Sequence, residues 1–202
     1  FTSIIIPSGV AEIGNDAFTA CTNLASVEVP ATVVTMGSYA FSRCDSLTKV
    51  IIPDGVSEAG EYTFYMCSNL VTVEFSANSK LTVISQSMFN WCEKLSSITI
   101  PSEVTRIENY AFSGCDSLTS ITIPSKVTYI GDSAFSNEGL KSITIPVSVK
   151  TIGRAAFCNC TALTTFNYAG TKTQWNSIAK GDQWADYSAF SKVICSNGTI
   201  TI

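Results

Sequence analysis

Histidine is absent from this chain of 202 residues. Without it, the chain has no Ser-His-Asp triad, no Cys-His pair and no histidine-ligated zinc. Neither G-x-G-x-x-G nor G-x-x-x-x-G-K-[ST] occurs, so there is no motif for a phosphate-binding glycine loop. The one C-x-C, Cys158 and Cys160, has no second cysteine pair near it to complete a zinc site. We therefore expect no metal, no cofactor and no enzymatic activity.

Charge is also scarce, at 14% of residues against 46% apolar. The 12 Lys and Arg and 16 Asp and Glu give a net charge of −4, and the basic residues do not cluster. Because recognition of a phosphate backbone needs a basic cluster, nucleic acid is not an expected partner. The chain also lacks an apolar run of about 18 residues, so we expect no membrane insertion of this segment.

What the chain does contain is a repeat, visible as a step of 23 residues from Pro7 to Pro30 and again to Pro53. A unit of this length cannot bury its apolar side alone and must stack on a neighbour. Two edits interrupt the period: two extra residues between 76 and 81, where 77–80 is a polar run, and one residue missing between 135 and 140, which removes the cysteine of the sixth copy. Both are interpreted as loop changes on a fixed scaffold.

Each unit carries two patterns in succession. Leu118, Ile121 and Ile123 give L-x-x-I-x-I, whose last residues alternate as in a half-buried strand. Pro124 has no N–H to donate and should end that strand. The following V-x-x-I-G predicts a short extended piece, with the glycine providing backbone freedom for a bend. A helical turn is expected around the Ala-Phe pair.

These phrases resemble the BspA-like leucine-rich repeat of bacterial surface proteins, from residue 1 to about residue 168. The resemblance is carried by LTSITIPSKVTYIGDSAF (118–135), LSSITIPSEVTRIENYAFSGC (95–115) and LKSITIPVSVKTIGRAAFCNC (140–160). It implies a right-handed, β-rich solenoid of about seven repeats over 1–168, with a parallel sheet on one face and short extended pieces and helical turns on the other. Local departures are Ser76 for proline, Thr63 for alanine, and Ser85 and Glu108 for glycine.

Residues 169–202 depart from the repeat and are predicted to form a C-terminal cap. Thr171 and Gln174 form a capping-box pattern that predicts a helix over 171–180. Asn197-Gly198 predicts a hairpin with a type I′ turn over 193–202. An aromatic set is expected to cover the apolar end of the solenoid: Trp175, Trp184 and Phe190.

Six of the eight cysteines share one repeat position. Stacked coils would place them in a column at about 4.8 Å spacing with parallel side chains, which does not suit disulfide geometry. We expect buried free thiols that act as small hydrophobes. A bond between Cys158 and Cys195, which lie outside the column, is left open.

Two surfaces are candidate binding sites. The outward strand positions are mostly Ser and Thr in repeats five to seven, whereas repeats two to four present Glu28, Lys49, Ile51 and Glu74. Glu28 and Glu74 would be about 10 Å apart on an open sheet without a pocket to desolvate them, so they are interpreted as a binding face or ordinary surface.

The second candidate is an outer aromatic column. Tyr39, Tyr62 and Tyr110 are assigned to one repeat position, and Tyr65 and Trp91 to another. Exposed aromatic rings are suited to binding a partner or a sugar, although such a column also packs over its own turn.

The family resemblance implies a non-catalytic, cell-surface or secreted module for protein binding or adhesion, with a host extracellular or microbial surface protein as ligand. The alternatives are a structural spacer that presents another domain, and a weak glycan binder. A monomer is expected. The chain begins inside a strand phrase without a signal peptide, so we interpret it as a mature segment or fragment of a longer protein.

Overall fold

The structure is a computed structural model, and it describes residues 1–137 and 139–202. The chain winds into stacked coils, each with a longer strand, a shorter strand and a turn segment. The longer strands are β1 (Ser3–Ile5), β3 (Ser26–Glu28), β5 (Lys49–Ile52), β7 (Thr72–Phe75), β9 (Ser97–Ile98), β11 (Ser120–Thr122), β13 (Ser142–Ile145), β15 (Thr165–Tyr168) and β17 (Lys192–Cys195). The shorter strands are β2 (Glu12–Ile13), β4 (Thr35–Met36), β6 (Glu58–Ala59), β8 (Val83–Ile84), β10 (Arg106–Ile107), β12 (Tyr129–Ile130), β14 (Thr151–Ile152) and β16 (Ala179–Lys180). The last elements are helix α1 (Lys172–Asn176) and strand β18 (Gly198–Thr201).

The longer strands form the first wall of the solenoid, and we number the coils from 1 at β1 to 8 at β15. Neighbouring strands pair in parallel, for example Ile51 opposite Glu74 and Thr72 opposite Ser97. Hydrogen-bonded pairing groups the strands as β1-β3, β5-β7-β9 and β11-β13-β15-β17-β18. Side chains alternate between the core and solvent, which confirms the predicted parallel sheet on one face.

The shorter strands form the second wall, grouped as β2-β4-β6 and β8-β10-β12-β14-β16. The glycine that ends V-x-x-I-G has a different role from the predicted one. Gly37 does not lie in the left-handed region. A Cβ at Gly37 would lie 2.5 Å from the backbone N of Asn15 in the preceding coil, so a side chain has no room. This position needs glycine because two coils approach closely.

The turn segments form a third wall, and here the predicted helical turn around Ala-Phe is wrong. The N–H groups of Asp16, Phe18 and Ala20 donate to carbonyls of the next coil at 2.8–2.9 Å. In a helix they would bond within their own segment. Asp16 and Ala20 reach this arrangement with φ of 55° and 57°, in the left-handed region. Bonds to the next coil therefore alternate with local turns, in which the N–H groups of Thr19 and Cys21 donate to the carbonyls of Asp16 and Phe18.

The core is a set of columns that run through the coils. Adjacent rings of the phenylalanine column are stacked at centroid distances of 5.1–5.7 Å: Phe18, Phe41, Phe64, Phe89, Phe112, Phe135 and Phe157. This spacing follows the coil spacing, and the offset stacking suits aromatic quadrupoles. One apolar core therefore continues from coil to coil.

The cysteine column lies beside the phenylalanines, and all eight cysteines are free thiols, so Cys158 and Cys195 are not bonded. Each thiol of one set donates to the phenylalanine carbonyl of the preceding coil at 3.0–3.2 Å: Cys44, Cys67, Cys92, Cys115 and Cys160. In coil 8 the Ser188 hydroxyl takes this role and donates to the Phe157 carbonyl. The expected column is present, with five of its six thiols buried and Cys21 partly buried.

The helix α1 has Thr171 as its N-cap, with the predicted capping box to Gln174. Its predicted extension to residue 180 is wrong, because residues 179–180 form β16 and pair with β14. The Ala179 N–H donates to the Lys150 carbonyl, so stacking on coil 7 replaces further helix. Lys180 donates to the Trp175 and Ile178 carbonyls at 2.8 and 3.0 Å, which satisfies acceptors at the helix end.

The hairpin joins β17 to β18 through Ser196 and Asn197, one residue earlier than predicted. Neither of these residues has a positive φ, so the turn is not type I′. Asn197 Oδ1 instead accepts from the Lys172 N–H at 2.9 Å and fixes the turn to the helix start. The aromatic set of the C-terminal segment packs on Phe166 at centroid distances of 4.7–5.6 Å: Trp175, Trp184 and Phe190.

Pairing in both walls continues past residue 168, through β16 and β17. Residue 168 therefore marks a change of sequence pattern within a continuous stack of strands. The helix of the described residues has five residues, and none of their helices has the length and apolar character needed to cross a bilayer.

Candidate functional site

The strand-face patch, defined as Glu28, Lys49, Ile51 and Glu74, lies on the outer side of the first wall. The structure brings Lys49, Ile51 and Glu74 together on β5 and β7, with Ile51 opposite Glu74. Glu28 occupies the equivalent outward position of β3, where it lies opposite Ile5. The sheet is interrupted between β3 and β5, so Glu28 belongs to the neighbouring strand group.

The patch combines one exposed apolar side chain with charge. Ile51 is 50% exposed, although it lies in the middle of a paired strand. The Lys49 Nζ lies 2.8 Å from Glu74 Oε1, and both side chains are about half exposed. Exposed ion pairs of this kind contribute little to folding stability. A partner can therefore contact Lys49 and Glu74, and replace their ion pair, at a small cost in folding stability.

The predicted outer aromatic column is divided in the structure. Tyr39 and Tyr62 stack at 4.6 Å between ring centroids, and Tyr65 contacts Tyr62 edge-on at 5.6 Å. The Tyr62 hydroxyl accepts a hydrogen bond from Gln86 Nε2 at 3.0 Å. These three rings, which we call the tyrosine trio, pack over their own turns.

Trp91 and Tyr110 make no ring contact with the tyrosine trio within the described residues. The shared position assigned to Tyr65 and Trp91 is wrong. Trp91, like Met66, has a φ near 60° and belongs to the second left-handed position of its coil, two residues after the phenylalanine. Tyr65 follows its phenylalanine directly. Trp91 is 47% exposed and is the aromatic ring of this wall most open to solvent after Tyr187.

The buried cysteines have the character of structural rather than reactive thiols. Burial raises the pKa of Cys44 and of Cys160 to about 12. It also raises the pKa of Cys67, Cys92 and Cys115 well above the ordinary value. A thiol without a thiolate at neutral pH is a poor nucleophile. No cluster of three or more His, Cys, Asp or Glu side chains within residues 1–137 and 139–202 could hold a metal ion.

Two features of the surface were not predicted. On the second wall, the Arg106 guanidinium lies 4.0 Å from the Tyr129 ring centroid and 2.6 Å from Glu108. On the turn wall, Trp91 and Asn159 line a cavity of about 280 Å³. Each of these two features joins residues from different coils. An alignment of the coils by repeat position would have been needed to find them, since no local motif contains both partners.

Residues 1–90 and 82–180 match the BspA type leucine rich repeat region, in six copies. A leucine-rich repeat protein from Bacteroides ovatus is 27% identical, with a TM-score of 0.76 over 97% of this chain and 55% of its own. The chain therefore spans about half the length of that protein.

A T. pallidum leucine rich repeat protein is 24% identical, with a TM-score of 0.58 over 89% of this chain and 73% of its own, and it supports the fold alone. No curated protein matches. Repeat folds of this type are generally non-catalytic and present extended binding surfaces. The repeat match covers most of the sequence and agrees with the stacked coils, so the chain belongs to the BspA-type leucine-rich-repeat family.

Proposed function

We propose that this chain is a non-catalytic binding module of a secreted or cell-surface protein, and that it binds a protein partner through the strand-face patch. Its membership of the BspA-type family supports this class of function. The observation that carries the choice of surface is the exposed Ile51, held on a rigid paired strand between the carboxylates of neighbouring coils. The proposed partner is a host extracellular protein or a protein on another microbial surface.

The chemistry of the patch limits the partner. An apolar side chain surrounded by polar groups is the arrangement that interface centres and rims use. Glu28 and Glu74 bear negative charge at the same outward position as Ile51. A complementary surface would therefore present an apolar side chain flanked by lysine or arginine. Opposite charges at such a rim mainly increase the association rate.

The test is a binding screen of the purified chain against extracellular-matrix proteins and mucins, with Ile51→Arg as the disrupting variant. Saturable binding that Ile51→Arg reduces about tenfold or more supports the proposal, since a cation would then meet the basic surface of the partner. Thr122→Arg is the matched control, because Thr122 is an exposed outward residue of β11, away from the patch. Equal binding by both variants would contradict the choice of surface.

The spacer alternative is favoured by one observation. The outward positions of coils 5 to 7 carry only Ser and Thr, among them Ser120, Thr122, Ser142 and Thr144. Such a surface is well suited to β structure and offers few anchors for recognition. Absence of binding to every ligand in the screen, for the parent chain and the variants alike, would favour the spacer.

A further inference from the structure

One outward column of the first wall alternates between isoleucine and glutamate in coils 1 to 4. Ile5 lies opposite Glu28 in the paired strands β1 and β3, and Ile51 lies opposite Glu74 in β5 and β7. The two isoleucines are 70% and 50% exposed, and both glutamates are exposed. We call these four side chains the alternating ridge. It contains three residues of the strand-face patch and adds Ile5.

The neighbouring positions on the sheet carry smaller or purely polar side chains. The adjacent outward column of the same coils consists of Ser3, Ser26, Lys49 and Thr72. In coils 5 to 7 the position of the ridge itself carries only threonine: Thr99, Thr122 and Thr144. The alternation therefore ends after Glu74. From Ile5 to Glu74 the ridge covers three steps between strands, or about 14 Å.

The two glutamates of the ridge differ in their ion pairs. Glu74 is paired with Lys49, whose Nζ lies 2.8 Å from its Oε1. Glu28 makes no ion pair within the described residues. In the column, Glu28 lies between the exposed side chains of Ile5 and Ile51. A complementary partner therefore places a cation between two apolar groups.

An α-helix that lies along the solenoid axis matches the spacing of the ridge. Helix positions i, i+3, i+7 and i+10 share one face, at axial distances of about 0, 4.5, 10.5 and 15 Å. The four ridge positions lie at about 0, 4.8, 9.6 and 14.4 Å. The two series agree to about 1 Å at every step. Apolar residues at i and i+7 would contact the isoleucines, and lysine or arginine at i+3 and i+10 would contact the glutamates.

Extended peptides do not match both residue types of the ridge. A β-strand presents a side chain on one face about every 6.7 Å, so it loses register with the coils after the first contact. A polyproline II segment repeats one face about every 9.3 Å, which reaches either the isoleucines or the glutamates but not both. Of these conformations, only the helix matches the full alternation.

We propose that the alternating ridge binds a helix of the protein partner, about three turns long, whose contact face alternates between apolar and basic residues. This inference rests on the proposed protein-binding function and specifies the element of the partner that is bound. The isoleucines lie on paired strands that are ordered before binding, which lowers the entropic cost of association. The basic residue opposite Glu28 determines the register of the helix and excludes partners with an acidic residue there.

The experiment is a titration of the full chain with two synthetic peptides of about two heptads each, of identical composition, kept helical by a lactam bridge on the face away from the contact. The alternating peptide has leucine at i and i+7 and lysine at i+3 and i+10. The block peptide has leucine at i and i+3 and lysine at i+7 and i+10. The methyl signals of Ile5 and Ile51 in NMR spectra, assigned by their loss in Ile5→Val and Ile51→Val, report binding. We expect saturable shifts of both signals and about fivefold tighter binding of the alternating peptide.

Two charge reversals test the role of the carboxylate in the ridge. Glu28→Lys is expected to weaken binding of the alternating peptide about fivefold or more, because an attraction becomes a repulsion. Glu12→Lys is the matched control, since Glu12 is exposed on β2 in the second wall, and it should change the affinity less than about twofold. The proposal is overturned by the absence of saturable shifts at Ile5 and Ile51, by equal affinity of the two peptides, or by equal effects of the two reversals.

The screen of extracellular proteins separates this inference from the proposed function. A protein ligand that binds the parent and loses affinity for Ile51→Arg, together with failure of the alternating peptide, would retain the strand-face patch as a binding surface and reject the helix. Failure of both the screen and the peptide would contradict the binding function itself.

Discussion

At one repeat position of the second wall, the glycine that ends V-x-x-I-G, most coils approach each other too closely for a side chain. At Gly131 a Cβ would lie 2.5 Å from the Asn109 backbone N, and Gly153 meets Asp132 in the same way. Contacts this short require the backbone to move, since the obstacle is main chain rather than a flexible side chain. Gly14 occupies the same position in coil 1, where nothing lies within 4 Å of the added atom.

We predict that Gly131→Ala lowers the free energy of unfolding by about 2 kcal/mol or more, as overpacking does in other cores. Gly14→Ala should be neutral or slightly stabilising, because alanine restricts the unfolded chain. Denaturant unfolding of the two variants beside the parent measures the difference. Equal effects of the two substitutions would show that coil spacing does not determine the need for glycine.

The thiol column makes the free energy of unfolding depend on pH in the alkaline range. In the unfolded chain a cysteine ionises with a pKa of about 8.5. In the folded chain the pKa of Cys44 and of Cys160 is about 12, because burial disfavours the thiolate. The folded state therefore binds more protons above pH of about 8.5. Its stability is fully present below that pH and falls as the pH rises towards 12, by up to about 1.4 kcal/mol per pH unit for each buried thiol.

A variant with both Cys67→Ser and Cys92→Ser is expected to be less sensitive to pH between pH of about 9 and 11. For each thiol removed, the fall in its free energy of unfolding should be smaller by about 1.4 kcal/mol per pH unit. Serine preserves the hydrogen bond to the preceding coil, as Ser188 does in coil 8. The measurement is the midpoint of urea unfolding as a function of pH. An identical slope for the variant and the parent would refute the link to thiol ionisation.

At the scale of elements, the second wall has a seam between coils 3 and 4. Strands β6 and β8 are not paired, and Ser85 occupies the glycine position beside the insertion at 77–80. The Ser85 hydroxyl donates to the Ala59 carbonyl, which would otherwise accept from the backbone. Serine and the seam therefore occur together, although Glu108 occupies the same position in coil 5, where β8 and β10 pair.

We predict faster amide hydrogen exchange at the seam than elsewhere in the second wall. The N–H groups of Thr82 and Ser85 donate to no carbonyl in the described backbone network. Their counterparts in coil 5, Thr105 and Glu108, donate to coil 4 at 2.8 and 2.9 Å. Exchange rates measured by NMR should differ by about tenfold or more between the two pairs. Equal protection of all four amides would mean that the seam is closed in solution.

The sequence predicted the elements whose determinants are local. Alternation in L-x-x-I-x-I identified the inward and outward residues of the first wall, and therefore the positions of Lys49, Ile51 and Glu74. The turn wall was not predictable in this way, since residues such as Asp16 donate to the next coil and a single coil does not contain that information. The cavity beside Trp91 was missed for the same reason, because residues of several coils line it.

At the scale of the whole molecule, the interruptions of the two walls never coincide. The first wall is broken between β3 and β5 and between β9 and β11, where β4 pairs with β6 and β10 with β12 in the second wall. The second wall is broken between β6 and β8, where β5 pairs with β7 in the first. Every interface between coils therefore keeps at least one hydrogen-bonded ladder, and the phenylalanine column crosses the interfaces from coil 1 to coil 7.

This continuity predicts that a single charge in the core disrupts the array as a unit. Ile121 is 7% exposed in coil 6 and pairs with Ile143 of coil 7. Ile121→Asp removes a buried apolar side chain and introduces a carboxylate without a partner, at a cost of about 3–5 kcal/mol or more. Since each coil is stable only against its neighbours, we expect most of the array to unfold.

The matched variant is Thr122→Asp, which places the same charge one residue further on β11 but on the exposed side. Circular dichroism and thermal melting should show a folded, cooperative protein for Thr122→Asp and loss of most β structure for Ile121→Asp. A soluble Ile121→Asp protein that melts cooperatively near the parent temperature would contradict a shared core. Partial loss of the circular dichroism signal, with a residual cooperative transition, would instead show that the coils on one side of coil 6 remain stable alone.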